Sequence, residues 1–291
     1  MMVAARRNER RATLVALLAS MLVAAPVLVG IAYAAAASMG IAGAGAGTAS
    51  AARLIRVLND GQTWAGLVWS VSAAAVATVA ATGGAIAVAV CFRGGGLSDR
   101  MARALAAAPL PLPHLVAAAL AVWVLGQSGM LARVAFALGW IAAPSAMPPL
   151  IYDQWGVGFV LTMAWKEMAF LSVVATALLS TRTAAAEEAA RTLGASEWET
   201  FHRVTFPVLW RGLVPAVVAV FIFVVGSYEA AALLAPSSPL ALPLLVAERS
   251  ADPDLARRGD AYVVTLLLLG MGIVAVIAHE WVRARWESLE E

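Results

Sequence analysis

The chain has 291 residues, 62% of them hydrophobic and 13% charged, with a formal net charge of +2 and a mean hydropathy of +0.83. Soluble domains are nearer half apolar and a quarter charged, so the surplus apolar surface needs lipid as its solvent. A single cysteine, Cys91, excludes an internal disulfide, the small net charge gives no case for nucleic acid, and three histidines are thin material for a metal site.

A membrane helix needs about 20 mostly apolar residues. Six stretches qualify, at roughly 12–38, 64–90, 104–126, 157–180, 213–235 and 261–282. They predict an all-α integral membrane protein with a six-span domain over 12–282, an N-terminal tail at 1–11 and a C-terminal tail at 283–291. The first stretch follows Arg6, Arg7, Arg10 and Arg11 as a signal peptide would, but its apolar run is far longer than the 7–15 residues of a signal core, so it reads as an anchor. A flexible Gly/Ala-rich linker, IAGAGAGTAS, follows. Gly83 and Gly84 in the second stretch predict close helix packing rather than a gate.

Pro109, Pro111 and Pro113 crowd the start of the third stretch. Proline removes a backbone donor, so the expectation is a short helix, a break, and then the span. Residues 134–151 are apolar but hold Pro144, Pro148 and Pro149, and read as a loop on the membrane surface rather than a seventh span.

Six spans put both termini on one side. Thirteen arginines fall on that side and six on the other, so the positive-inside rule places the termini in the cytoplasm. The segment between spans four and five is then cytoplasmic as well.

That segment, 183–207, is the most polar long stretch between spans. Ala, Glu and Arg favour a helix over 183–193, with Glu187 and Arg191 spaced for an ion pair. Gly194 ends it. Ser196 and Glu199 form a capping-box pattern that starts a second helix, Trp198 and Phe201 share its face, and Pro207 closes the unit. Clustered aromatics with a charged rim fit a docking site; an amphipathic loop resting on headgroups is the competing reading.

Glu188, Ala189, Ala190, Gly194, Val204, Phe206 and Pro207 stand at the spacing of the EAA loop, and the segment resembles that loop in permease subunits of binding-protein-dependent type I ABC importers. Valine for isoleucine at 204 and phenylalanine for leucine at 206 are the departures. The resemblance implies a permease that forms the translocation path, with Glu187, Glu188, Ala189, Ala190, Gly194, Trp198, Phe201 and Pro207 coupling it to a separate ATPase subunit. Glu188 would be the polar contact or helix orienter, Gly194 would permit the bend, and Trp198 and Phe201 would fill a groove of the ATPase. It also implies a second permease subunit, an extracytoplasmic substrate-binding protein and a place in the bacterial inner membrane. ATP and magnesium would belong to the partner, since this chain has no Gly-x-x-x-x-Gly-Lys-Ser/Thr and no catalytic site or cofactor of its own. The outer loops 39–63, 127–156 and 236–260 are candidates to meet the binding protein.

Trp165, Lys166 and Glu167 in span four, with Tyr228 and Glu229 in span five, put charge at membrane depth, where it faces a partner or a watery cavity. Lys166 and Glu167 fall roughly 14 Å from the outer end and Glu229 roughly 9 Å, at 1.5 Å per residue. Either Lys166 and Glu229 form an ion pair between neighbouring spans, or these residues line the path. The Trp-Lys-Glu and Gly-Ser-Tyr-Glu stretches look loosely like the branch that imports polyamines, thiamine or ferric iron.

Two other readings carry less. Gly126-Gln127-Ser128-Gly129 looks like an intramembrane protease motif, but His279 falls at the opposite end of its span, so the four residues read as a turn. A secondary transporter would show internal repeats, and none is convincing. His114 and His202 each stand alone.

Overall fold

The computed structural model describes residues 2–43 and 46–287; the side chains of 2–12, 14, 180–182 and 287 are outside what is described, including Arg6, Arg7, Arg10, Arg11 and Arg182 of the charge argument. The helices, in chain order, are α1 (Met2–Ser38), α2 (Ala52–Leu58), α3 (Gly61–Cys91), α4 (Leu97–Ala107), α5 (His114–Leu125), α6 (Met130–Ala137), α7 (Val157–Arg182), α8 (Ala184–Thr192), α9 (Glu197–Thr200), α10 (Phe206–Val225), α11 (Tyr228–Leu234), α12 (Leu242–Ser250) and α13 (Asp260–Glu287). There is no strand among the described residues. Among the described residues, six helical stretches are long and apolar enough to cross a membrane: Val15–Ser38, Gly61–Cys91, His114–Ala137, Val157–Leu179, Glu197–Val225 and Asp260–Trp286.

The chain forms two compact units, Met1–Asp60 with Val246–Leu267, and Gly61–Leu245 with Leu268–Glu291. In the first, Arg53 is buried and donates to the Ala37 carbonyl at 2.6 Å. Arg56 holds Asp260 through two bonds of 2.8 and 2.9 Å, and Arg249 pairs with Asp60. Tyr33 meets Tyr262 edge-on.

In the second unit α3 and α7 make the most extensive pairing, and α10 lies against both. Ala73, Ala77, Ala81, Ala85 and Ala89 are all buried along one face of α3. Small side chains at every fourth position let helix backbones approach closely, which replaces the hydrophobic drive that lipid removes. Gly84 joins that contact: a Cβ there would lie 2.5 Å from the Met168 sulfur, whereas Gly83 faces open space. The expected close packing therefore falls on one of the two glycines.

The third stretch shows the expected short helix, break and span, and its end and the bounds of the fifth need correction. The third is assembled from pieces. The prolines at 109, 111 and 113 interrupt it between α4 and α5, and α5, with 12 residues, is only about 18 Å long against a core of about 30 Å. The apolar stretch continues through the 126–129 turn into α6, so it runs past 126 to Ala137. In the fifth, α10 begins at Phe206 rather than 213 and ends at Val225, capped by Gly226. Ser227, extended at ψ 91°, starts a new direction, and 228–234 form the separate helix α11.

Candidate coupling loop and intramembrane cluster

Thr183 alone separates α7 from α8, so the loop grows directly out of the fourth span. Gly194, at φ +89°, makes the turn between α8 and α9. This left-handed conformation costs an ordinary residue strain and costs glycine none. The capping box is formed: Glu199 N–H donates to Ser196 Oγ at 3.3 Å, and Ser196 N–H donates to Glu199 Oε2 at 3.0 Å. The Ser196 N–H and then its hydroxyl, which donates to the same oxygen at 2.8 Å, favour the ionised carboxylate and hold Glu199 below the usual carboxylate range.

Pro207 does not close the unit. α9 passes through a single wide π-helical turn at Phe201–Thr205 straight into α10. Proline has no N–H, and its ring crowds the carbonyl four residues earlier, here that of Arg203. A wider turn in front of it relieves the crowding. The turn also brings residues five apart onto one face: Phe201 and Phe206 have ring centroids 6.0 Å apart. An aromatic row results, from Trp198 through Phe201 and Phe206 to Trp210. Trp198 and Phe201 share a face, with centroids 5.8 Å apart, and Trp198 is 70% exposed.

The carboxylate held within the loop is Glu187, while Glu188, expected as the polar contact or helix orienter, stands on the surface. Glu187 is 5% exposed. It accepts from Thr205 Oγ1 at 2.7 Å and from Arg93 Nη1 at 2.8 Å, with Arg191 Nη2 at 3.8 Å. One buried carboxylate thus ties the end of α3, helix α8 and the π-turn together. Glu188 and Ala189 are exposed, Ala190 and Pro207 half-buried. The sequence reading gave Arg93 and Thr205 no role here. The only sequence signal was an arginine just past a span; nothing marked its distant partner. Arg93, Glu197, Trp198, Phe201 and Thr205 also border an open cavity of ≈ 430 Å³.

The intramembrane charges divide. Lys166 and Glu167 are 6% and 7% exposed. They do not reach Glu229, which the break at Gly226 moves onto α11, where it is exposed. Lys166 Nζ instead lies 3.4 Å from the Leu110 carbonyl, and Glu167 Oε1 lies 2.8 Å from His114 Nε2. Trp165 and Tyr228 are exposed. The pair at this depth is therefore His114–Glu167. Sequence spacing could not show it, because 53 residues separate the two.

Residues 80–288 match the family described as "Binding-protein-dependent transport system inner membrane component". The chain is 26% identical over 161 residues to the Inner membrane ABC transporter permease protein YnjC of Escherichia coli (strain K12), a match covering 55% of this chain and 30% of that protein. It is 28% identical over 172 residues to the Sulfate transport system permease protein CysT of Synechocystis sp., covering 58% of this chain and 56% of that one. The chain thus spans about a third to a half of the length of these relatives. A crystal structure of a bacterial ABC transporter involved in the import of the acidic polysaccharide alginate shares the fold, with TM-score 0.71 and 15% identity over 92% of this chain and 95% of that chain.

Proposed function

We propose, since this chain belongs to the binding-protein-dependent transport system inner membrane component family, that it is the permease subunit of an ABC importer. It is a multi-pass protein of the bacterial inner membrane, and its helices form one half of a solute path. The observation that carries the proposal is the loop 183–207: its base is pinned by buried Glu187, while Trp198 stands 70% exposed at its tip. A pinned base with an exposed aromatic tip can take a push from another protein and pass it to α7 and α10 without buckling.

The partner that supplies the push is an ATP-binding ATPase subunit, which carries the nucleotide and magnesium; this chain supplies no catalytic group. The termini and the loop lie on the cytoplasmic side, as the arginine bias supports. A second permease, the same or related, completes the path, and a soluble binding protein delivers the solute to the opposite face. The relatives include sulfate permeases, and the reading stops at a small solute delivered by such a protein.

The test is gentle purification of the full chain from its native membrane. An ATPase subunit should copurify, and a cysteine at Ala195 should be labelled only from the cytoplasmic side. Labelling from outside intact cells would end the proposal.

A further inference from the structure

His114 is the point where three helices meet. It opens α5 immediately after the proline break. Its Nε2 lies 2.8 Å from Glu167 on α7, and its ring packs on Phe223 of α10 with centroids 4.5 Å apart. The other side of the break is held as well, by Lys166 Nζ at 3.4 Å from the Leu110 carbonyl. The two adjacent charges of α7 therefore grip both sides of the break: Lys166 a carbonyl three residues past the end of α4, and Glu167 the side chain that opens α5.

The helices that hold His114 are the same two that bracket the loop. α7 runs into α8 through Thr183, and α10 continues directly from the π-turn. Glu167 and Phe223 each sit roughly 25 Å along their helix from the loop, at 1.5 Å per residue. Two rods of equal reach therefore converge on one imidazole at the break. A helix broken by prolines bends there more readily than within its intact turns.

From this convergence we infer that His114 is a positioning residue for transport: it fastens the broken third span to α7 and α10, so that displacement of the loop bends the path at 108–113. The inference rests on the loop being driven by an ATPase. His114 acts through Glu167 and Phe223 and need not touch solute.

The test uses the complete transporter in lipid nanodiscs and proteoliposomes, with Cys91→Ser and spin labels at the exposed positions Leu105 on α4 and Val173 on α7. His114→Ala is expected to broaden the label-to-label distance distribution. It should also lower the solute moved per ATP about tenfold while leaving hydrolysis running. His114→Gln, whose amide still reaches Glu167, should restore both readings. Should His114→Ala fail to assemble, Glu167→Ala, which removes the same contact from the other side, must give the same broadening and the same loss. Wild-type distances together with a wild-type solute-to-ATP ratio in these variants would overturn the inference. A wild-type complex that shows no ATP-driven import defeats the transporter reading alone, and the distance distribution then decides whether His114 fastens the break.

Discussion

Arg93 and Glu187 are joined by a 2.8 Å ion pair although 94 residues separate them in sequence. The Glu187 end is buried and the Arg93 end is about a third exposed, so the two ends respond differently to mutation. Removing Glu187 takes the carboxylate from Arg93 and leaves the Thr205 hydroxyl only the Thr200 carbonyl, at 3.4 Å. Glu187→Ala is expected to destabilise the purified protein by about 1–3 kcal/mol, whereas Arg93→Ala, with part of its charge already solvated, costs less. Glu188→Ala should change stability by less than about 0.5 kcal/mol. Thermal unfolding in detergent ranks the three; equal effects at 187 and 188 would contradict the assignment of Glu187 as the anchor.

Gly194 turns the chain at φ +89° with open space around it. An alanine there meets no neighbour, so the cost is backbone strain alone, about 1–2 kcal/mol. Asparagine tolerates this region better and should cost less. Gly194→Ala and Gly194→Asn measured side by side separate strain from crowding, because crowding would make the larger asparagine the worse of the two.

The Ser196–Glu199 box gives a pH dependence with a fixed sign. The Ser196 backbone N–H, then its hydroxyl, hold the Glu199 carboxyl below its ordinary value. A group whose pKa is lowered by folding stabilises the fold above its unfolded value and loses that contribution as pH falls through the folded one. Local order of α9 should therefore decline only below the ordinary carboxylate range. Ser196→Ala, which costs about 1 kcal/mol as a lost cap, should raise the pH at which Glu199 protonates. Carboxyl titration by NMR with labelled glutamate reads this directly, and an unchanged Glu199 midpoint in Ser196→Ala would refute it.

The loop was legible in sequence because its signals are local. Glycine at a left-handed turn, serine three before glutamate and aromatics three apart all act within one or two helical turns, and these three features are present. Span identity was legible for the same reason, since apolar length is a local sum. What stayed hidden was set by distant pairing. Glu187 could not be ranked above Glu188 without the positions of Arg93 and Thr205. Lys166 and Glu229 agreed in depth only while the fifth span was taken as unbroken to 235. His114 looked solitary because its partner, Glu167, lies on another helix, and the π-turn before Pro207 shifts which residues share a face in a way no fixed period of 3.6 anticipates.

Trp198 makes the sharpest separation between holding the fold and meeting a partner. Its ring is 70% exposed and touches chiefly Phe201 and His202, so the chain gains little stability from it. Large aromatics that stand exposed in the free protein and become buried in a complex commonly carry 2 kcal/mol or more of binding, roughly thirtyfold in affinity. Trp198→Ala should therefore leave the unfolding temperature of the isolated chain nearly unchanged and weaken capture of the ATPase subunit by about that factor. Phe201 is half-buried, with Phe206 behind it, so Phe201→Ala should reduce both quantities. Pull-down titrations paired with thermal unfolding give the two numbers for each variant. A Trp198→Ala chain that unfolds early and still binds its ATPase normally would make Trp198 part of the fold rather than of a docking face.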